Sequence, residues 1–255
     1  MAAWRGALGR VGRRLIQGVQ GLLASHVESC MICGGRAGDA GGSLPVCMGC
    51  YADIPWIAPR DVQCAICGRC EYCPDCSRRT DASFVMNRSA IRYTHTMKEW
   101  LGRFKYRGDE RLHVLMAGMV RGTLDRLLVD QGLGKRRQSV YLSYVPLSET
   151  RLAERGFNQT ELVARELSRL TGIQALPTLD RVRHTDKQSH KSRAERLRDL
   201  RGAFAAREEL SGQMGESASI IMIDDVYTTG STLEECARTL RQAADVRVYG
   251  LTWAR

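Results

Sequence analysis

The residues best suited to chemistry lie in 220–232, IIMIDDVYTTGST. Ile220, Ile221, Met222 and Ile223 form a short apolar run of the kind found in buried strands. Asp224 and Asp225 stand together at its end, and Thr228, Thr229, Gly230, Ser231 and Thr232 follow. A helical pattern then begins near Leu233. Backbone N–H groups at a helix start can hold a phosphate dianion, helped by the helix dipole. Glycine permits close backbone approach, and hydroxyls add donors. Carboxylates one sugar ring away can accept hydrogen bonds from ribose hydroxyls. Strand, acidic pair, hydroxyl–glycine turn and helix together suit a sugar phosphate. A simple capping role for the aspartates is the lesser reading beside TTGST.

A second concentration of chemistry lies upstream. Nine of the ten cysteines fall between residues 30 and 76. Cys30-x2-Cys33 and Cys47-x2-Cys50 make one four-thiolate set. Cys64 and Cys67, with two of Cys70, Cys73 and Cys76, make another. A Cys-x2-Cys turn puts both sulfurs on one side of a tight knuckle, and two knuckles build the tetrahedral cage that zinc prefers. Gly34, Gly35, Gly49 and Gly68 beside the ligands suit such turns. The spacing reads as structural zinc rather than disulfides. The run at every third position from Cys64 to Cys76 also resembles iron–sulfur ligation, and spacing leaves a cross-braced pairing open.

These groups need elements to position them. Met97, Trp100, Leu101 and Phe104 mark a helix over 97–106. Leu112, Leu115, Met116, Met119, Val120, Leu124 and Leu127 mark another over 111–129. Strands are expected within 84–93, over 139–147 and over 245–254, with an amphipathic helix at 160–170. Residues 131–138 read as a basic loop, and Cys236 as a small core residue. The alternation of strands and helices implies an α/β domain over 83–255, preceded by a cysteine-rich domain over 30–80 and a basic amphipathic segment over 1–29. Trp4, Leu8, Val11, Leu15, Val19 and Leu22 give that first segment helical spacing. It lacks the continuous apolar centre of a secretory signal, which points to a cytoplasmic protein. No apolar stretch is long enough to span a membrane. With 38 Lys and Arg against 28 Asp and Glu, the net charge is +10, which favours anionic partners such as nucleic acid or phosphorylated metabolites. No GxxxxGK[ST] occurs, so an ATP-driven motor is not encoded here.

Residues 220–232 resemble the phosphoribosyl-pyrophosphate (PRPP) motif of type I phosphoribosyltransferases. RLAERGFNQTELVARELSRLTG (151–172), RVRHTDKQSHKSRAERLRDLRGAF (181–204), GRFKYRGD (102–109) and the cysteine-rich start appear in the order of the ComF family of competence proteins. The resemblance runs from about Cys30 to the C-terminus. It implies a type I phosphoribosyltransferase fold, a parallel sheet flanked by helices, with a small zinc-binding domain of four-cysteine sites. It implies PRPP with Mg2+ as ligand, Asp224 and Asp225 at the ribose, and residues 228–232 at the 5′-phosphate. Arg151 and Arg155, in the loop after the first core strand, then face pyrophosphate. Gln188, Ser189 and Arg193 match the Q-S-x-x-x-R pattern of a loop that folds over the substrate, and His184 and His190 read as loop residues. CPDC (73–76) resembles a ComF-type knuckle, which assigns the second of two zinc ions to Cys64, Cys67, Cys73 and Cys76 and leaves Cys70 spare. The implied role is in DNA uptake, with single-stranded DNA, uptake proteins and peripheral attachment at the inner membrane as further expectations. Two alternatives stand beside it: active transfer to a base or amine in nucleoside metabolism, and a nucleic-acid-binding zinc module on a catalytically silent fold.

Overall fold

The computed structural model describes residues 29–37, 44–77, 82–183, 198–208, 214 and 217–255. The basic segment before residue 29 and the residues Gln188, Ser189 and Arg193, with His184 and His190, lie outside them. The chain divides into two compact units, Met1–Tyr51 and Ala52–Arg255. The two cysteine sets therefore fall in different units, although the sequence groups them in one segment, 30–80.

In the first unit, Gly34 N–H donates to the Cys30 carbonyl at 2.9 Å and closes the first knuckle. Gly34 has φ 75°, a left-handed turn that glycine adopts without penalty. Helix α1 (Met48–Ala52) follows Cys47 and carries Cys50.

In the second unit, a short helix α2 (Pro74–Ser77) carries Cys76. Strands β1 (Asn87–Ile91), β2 (Val140–Tyr144), β5 (Ala218–Val226) and β6 (Val246–Ala254) form one sheet in the order β1–β6–β5–β2, with every pairing parallel. Strands β3 (Leu179–Arg181) and β4 (Phe204–Ala206) pair as a separate antiparallel ribbon. That ribbon brackets the basic loop expected over 181–204.

The central strands are apolar on both sides because helices cover both faces. Helix α4 (Leu112–Asp130) lies against β1 and β6, and α6 (Gln159–Thr171) against β2 and β5; the two helices also touch each other. The opposite face holds α7 (Ser231–Ala243), whose Leu233, Cys236, Ala237 and Leu240 share a core with Ile220 and Met222 of β5 and Val246 and Val248 of β6. Cys67, Cys73, Cys76 and Phe84 belong to that same core. The second cysteine set is thus part of the α/β body. The expected helices 97–106 and 111–129 form as α3 (His95–Tyr106) and α4, and the apolar residues that mark them are all buried. Residues 131–138, expected as a loop, hold a 3-10 segment from Leu133 to Ser139. Among the described residues no helix is long and apolar enough to cross a membrane.

Candidate functional site

Asp224 and Asp225 lie inside the C-terminal end of β5 rather than after it. A strand sends successive side chains to opposite faces. Asp224 therefore shares the α7 side with Met222, while Asp225 shares the α4–α6 side with Ile223. The two carboxylates have different neighbours for that reason.

Asp225 is met by Lys105, whose ammonium pairs with Oδ2, and by Gln159, whose amide donates to the same oxygen at 3.0 Å. Arg155 supports Gln159 from behind, with Nη1 donating to Oε1 at 2.8 Å. The Arg155 guanidinium also lies 5.3 Å from the centre of the Tyr106 ring, a cation–π distance. Burial opposes ionisation of Asp225, but Lys105 and Gln159 outweigh it and hold the carboxyl below its ordinary range. Asp224 behaves oppositely. Burial, then the charge of Asp225, push it up to about 7. Its Oδ1 accepts from the Asp225 N–H at 2.8 Å. The pair thus divides into one firmly ionised carboxylate and one poised near neutrality.

Two sequence motifs converge here, each for a readable reason. In RGFNQ, Gly156 is the left-handed cap of α5 (Glu149–Arg155), with φ 80°. Phe157 stacks on Phe104, with ring centres 5.5 Å apart. Asn158 caps α6 and donates to the Val145 carbonyl at 3.2 Å, fixing the helix start to the end of β2. Arg155 and Gln159 are left to face Asp225. In GRFKYRGD, Phe104 is fully buried, and Asp109 accepts from Arg103 at 2.7 Å. That folded turn delivers Lys105 to Asp225 and Tyr106 to Arg155.

The hydroxyl–glycine turn follows β5. Gly230, at φ 76°, is the N-cap of α7 and brings no capping side chain. A Cβ there would also collide with the Tyr227 hydroxyl, so glycine is required twice over. Thr229 Oγ1 and Ser231 Oγ are 2.7 Å apart, and Ser231 N–H reaches Thr229 Oγ1 at 3.4 Å. Helix α7 begins at Ser231, two residues earlier than its apolar pattern, so residues 228–232 run from the turn into its first turn. A cavity of about 20 Å3 lies under this loop, lined by Asp224, Tyr227, Gly230 and Thr252 among others.

Arg151 and Arg155 are half-buried on one face of α5, while Leu152, Ala153 and Glu154 between them are exposed. Arg151 acts electrostatically on Arg181 of β3, whose own charge is disfavoured first by burial and then by Arg151. Lys105 and Gln159 meet Asp225, and Arg181 feels Arg151, contacts that sequence reasoning did not single out. All three stood inside recognised motifs, which was the available signal. Cys236, also on the α7 side, is fully buried, and burial pushes its thiol well up, as fits a core residue.

The cysteines assort sequentially. The sulfurs of Cys30, Cys33, Cys47 and Cys50 lie within 4.8 Å of one another, as do those of Cys64, Cys67, Cys73 and Cys76. Cross-bracing is absent from these sets, and Cys70 is in neither. Cys33–Cys47 and Cys67–Cys73 sulfur separations are 3.7 and 3.6 Å. A tetrahedron with metal–sulfur bonds of about 2.3 Å has edges of about 3.8 Å, so both cages fit zinc. Arg255 ties the second cage to the loop: Nη1 donates to the Cys67 carbonyl, and the guanidinium lies 5.4 Å from the Tyr227 ring centre.

No protein-family model matches the chain. Competence protein ComFC of Bacillus subtilis (strain 168) is 33% identical over 218 residues, covering 81% of this chain and 83% of that protein. This chain belongs to the ComF family. Competence protein ComFC of Streptococcus pneumoniae is 30% identical over 169 residues, 66% of this chain and 68% of the relative. DNA utilization protein YhgH of Escherichia coli (strain K12) is 34% identical over 140 residues, 52% of this chain and 60% of that protein. Among the described residues, two four-sulfur sets could hold metal ions, and an acidic pair met by Lys105 and Gln159 stands at the C-terminal end of β5.

Proposed function

We propose that this ComF-family protein binds PRPP with Mg2+ on a type I phosphoribosyltransferase fold and works in DNA uptake. The observation that carries the reading is the junction of β5 and α7: an acidic pair runs into a left-handed glycine turn that opens the helix. Ligands of parallel α/β sheets sit at the carboxyl ends of the strands. The 5′-phosphate belongs on the amides and hydroxyls of residues 228–232. Asp224 and Asp225 accept from the ribose hydroxyls, directly or through water. Arg151 and Arg155 face the pyrophosphate, whose paired oxygens match a guanidinium fork. Gln188, Ser189 and Arg193, outside the described residues, are assigned to the same ligand by the family resemblance alone.

Mg2+ arriving with the ligand supplies charge neutralisation at the pyrophosphate. Asp225 already receives Lys105 and Gln159, so its oxygens suit hydroxyl hydrogens better than a bare cation. Should transfer occur, an acceptor nitrogen bonds to C1 and the C1–O bond breaks. Its electron pair leaves on pyrophosphate, and any nitrogen proton passes to water. The two carboxylates stabilise the positive charge that develops on the sugar.

The DNA-uptake role rests on relatives named for competence and DNA utilization. The basic balance of the chain favours a second reading, direct binding of single-stranded DNA. The 30–80 segment serves both readings as zinc-held architecture, and free cysteines suit a cytoplasmic setting, at most peripheral to the inner membrane. Isothermal titration of PRPP with Mg2+ is expected to give heat with the native chain and none with the Asp224→Ala/Asp225→Ala variant. Tight, salt-dependent DNA binding with no PRPP heat overturns the reading in favour of a silent fold. Pyrophosphate release against a panel of bases and amines separates a transferase from a PRPP-regulated protein.

A further inference from the structure

We propose that the cleft between the second cysteine knuckle and the hydroxyl–glycine loop is an acceptor site, and that its occupant is an acidic nitrogen heterocycle, a flat ring bearing a carboxylate. The inference rests on the PRPP reading above and adds the class of the second substrate.

The cleft measures about 470 Å3, within the range of small-molecule sites. One wall is the knuckle tip, with Arg69 and Glu71; another is Tyr227 and Thr228 of the loop. Its floor is built by Arg92, Tyr93 and Arg255, just beyond the carboxyl ends of β1 and β6. The cleft therefore opens over the same sheet edge that carries the acidic pair. Tyr93 feels Asp225: burial first, then Asp225 and Tyr106, raise its hydroxyl above the ordinary value, so it stays a neutral donor.

The lining itself carries three guanidiniums and one carboxylate, Glu71, with Asp61 and Asp75 standing outside it beside Arg92 and Arg69. Arg92 stands 3.7 Å from Glu71 and 4.0 Å from Asp61, and Arg69 stands 3.8 Å from Asp75. These separations exceed hydrogen-bond length, and exposed pairs of this kind hold their partners weakly. Arg69 and Arg92 can therefore turn to an incoming carboxylate, whose geometry a guanidinium matches. Arg255 is committed to Cys67 and the Tyr227 face. Tyr93, part-exposed in the lining, supplies flat surface for a ring.

The test is isothermal titration of the full, zinc-loaded chain saturated with PRPP and Mg2+. Its probes are two matched pairs, orotate against uracil and nicotinate against nicotinamide. At least one acid is expected to bind about tenfold more tightly than its neutral partner, the scale of one charge-assisted hydrogen bond. Arg92→Gln, and separately Arg69→Gln, should erase that preference while leaving PRPP binding and the neutral probe unchanged. PRPP bound with both acids silent, or neutral partners bound equally well, overturns the cleft assignment alone. No response to PRPP itself overturns the reading beneath it as well.

Discussion

At the scale of the residue, the acidic pair is two groups with two jobs. Asp224 is raised to about 7 while an unfolded aspartate sits near its ordinary value. Between those limits the folded state binds the extra proton. Stability therefore falls as pH rises from about 4 through about 7. Asp224→Asn should remove this slope, so urea midpoints at pH 5 and pH 8 should differ in the native chain and converge in the variant. The lowered Asp225 contributes with opposite sign: its share is present above the ordinary carboxylate range and lost as pH falls. Lys105 holds that share. Lys105→Met leaves Asp225 without its cation and held by the Gln159 amide alone, and breaking a buried pair costs about 3–5 kcal/mol. With both side chains 16% exposed, we expect the lower end of that range in urea unfolding. A change below measurement error would contradict the pairing.

At the scale of the element, the β5–α7 junction and the second cage are one assembly. Gly230→Ala meets both a left-handed φ, costing about 1–2 kcal/mol, and the Tyr227 hydroxyl. Adding Tyr227→Phe removes the hydroxyl overlap but leaves the ring Cζ 2.6 Å from the added methyl, and the backbone cost, in place, so the thermal midpoint of the double variant should recover only part of the loss and lie between native and single variant. The cages should also differ in consequence. Cys67→Ser is expected to lower bound zinc from about two ions per chain to about one and to loosen the core that Cys67 shares with Phe84 and Val248. Cys33→Ser should lower zinc equally while leaving the near-ultraviolet signal of the α/β unit intact. Equal tertiary losses would contradict the assignment of the cages to separate units.

At the scale of the molecule, periodicity made α3, α4, α6 and the long strands legible, because each buries a face that its apolar residues spell out. The short helix α5 and the β3–β4 ribbon were not legible, since so few residues carry little periodicity and take their shape from what they pack against. The first four-cysteine set was legible from spacing, whereas the choice of Cys73 and Cys76 over Cys70 in the second came from the CPDC resemblance. The second set's place in the body was not legible, because that depends on Arg255 and Phe84, distant in sequence or silent in pattern. The carboxylates were found, whereas Lys105 and Gln159 became visible as partners only once α3 and α6 met at β5. In the proposed reading, this geometry frames a single cradle. A crystal structure of the full chain with PRPP and Mg2+ tests it most directly. The expected result is the 5′-phosphate on the amides of residues 228–232, with the ribose hydroxyls at Asp224 and Asp225. Sugar phosphate bound elsewhere, with that loop empty, would contradict it.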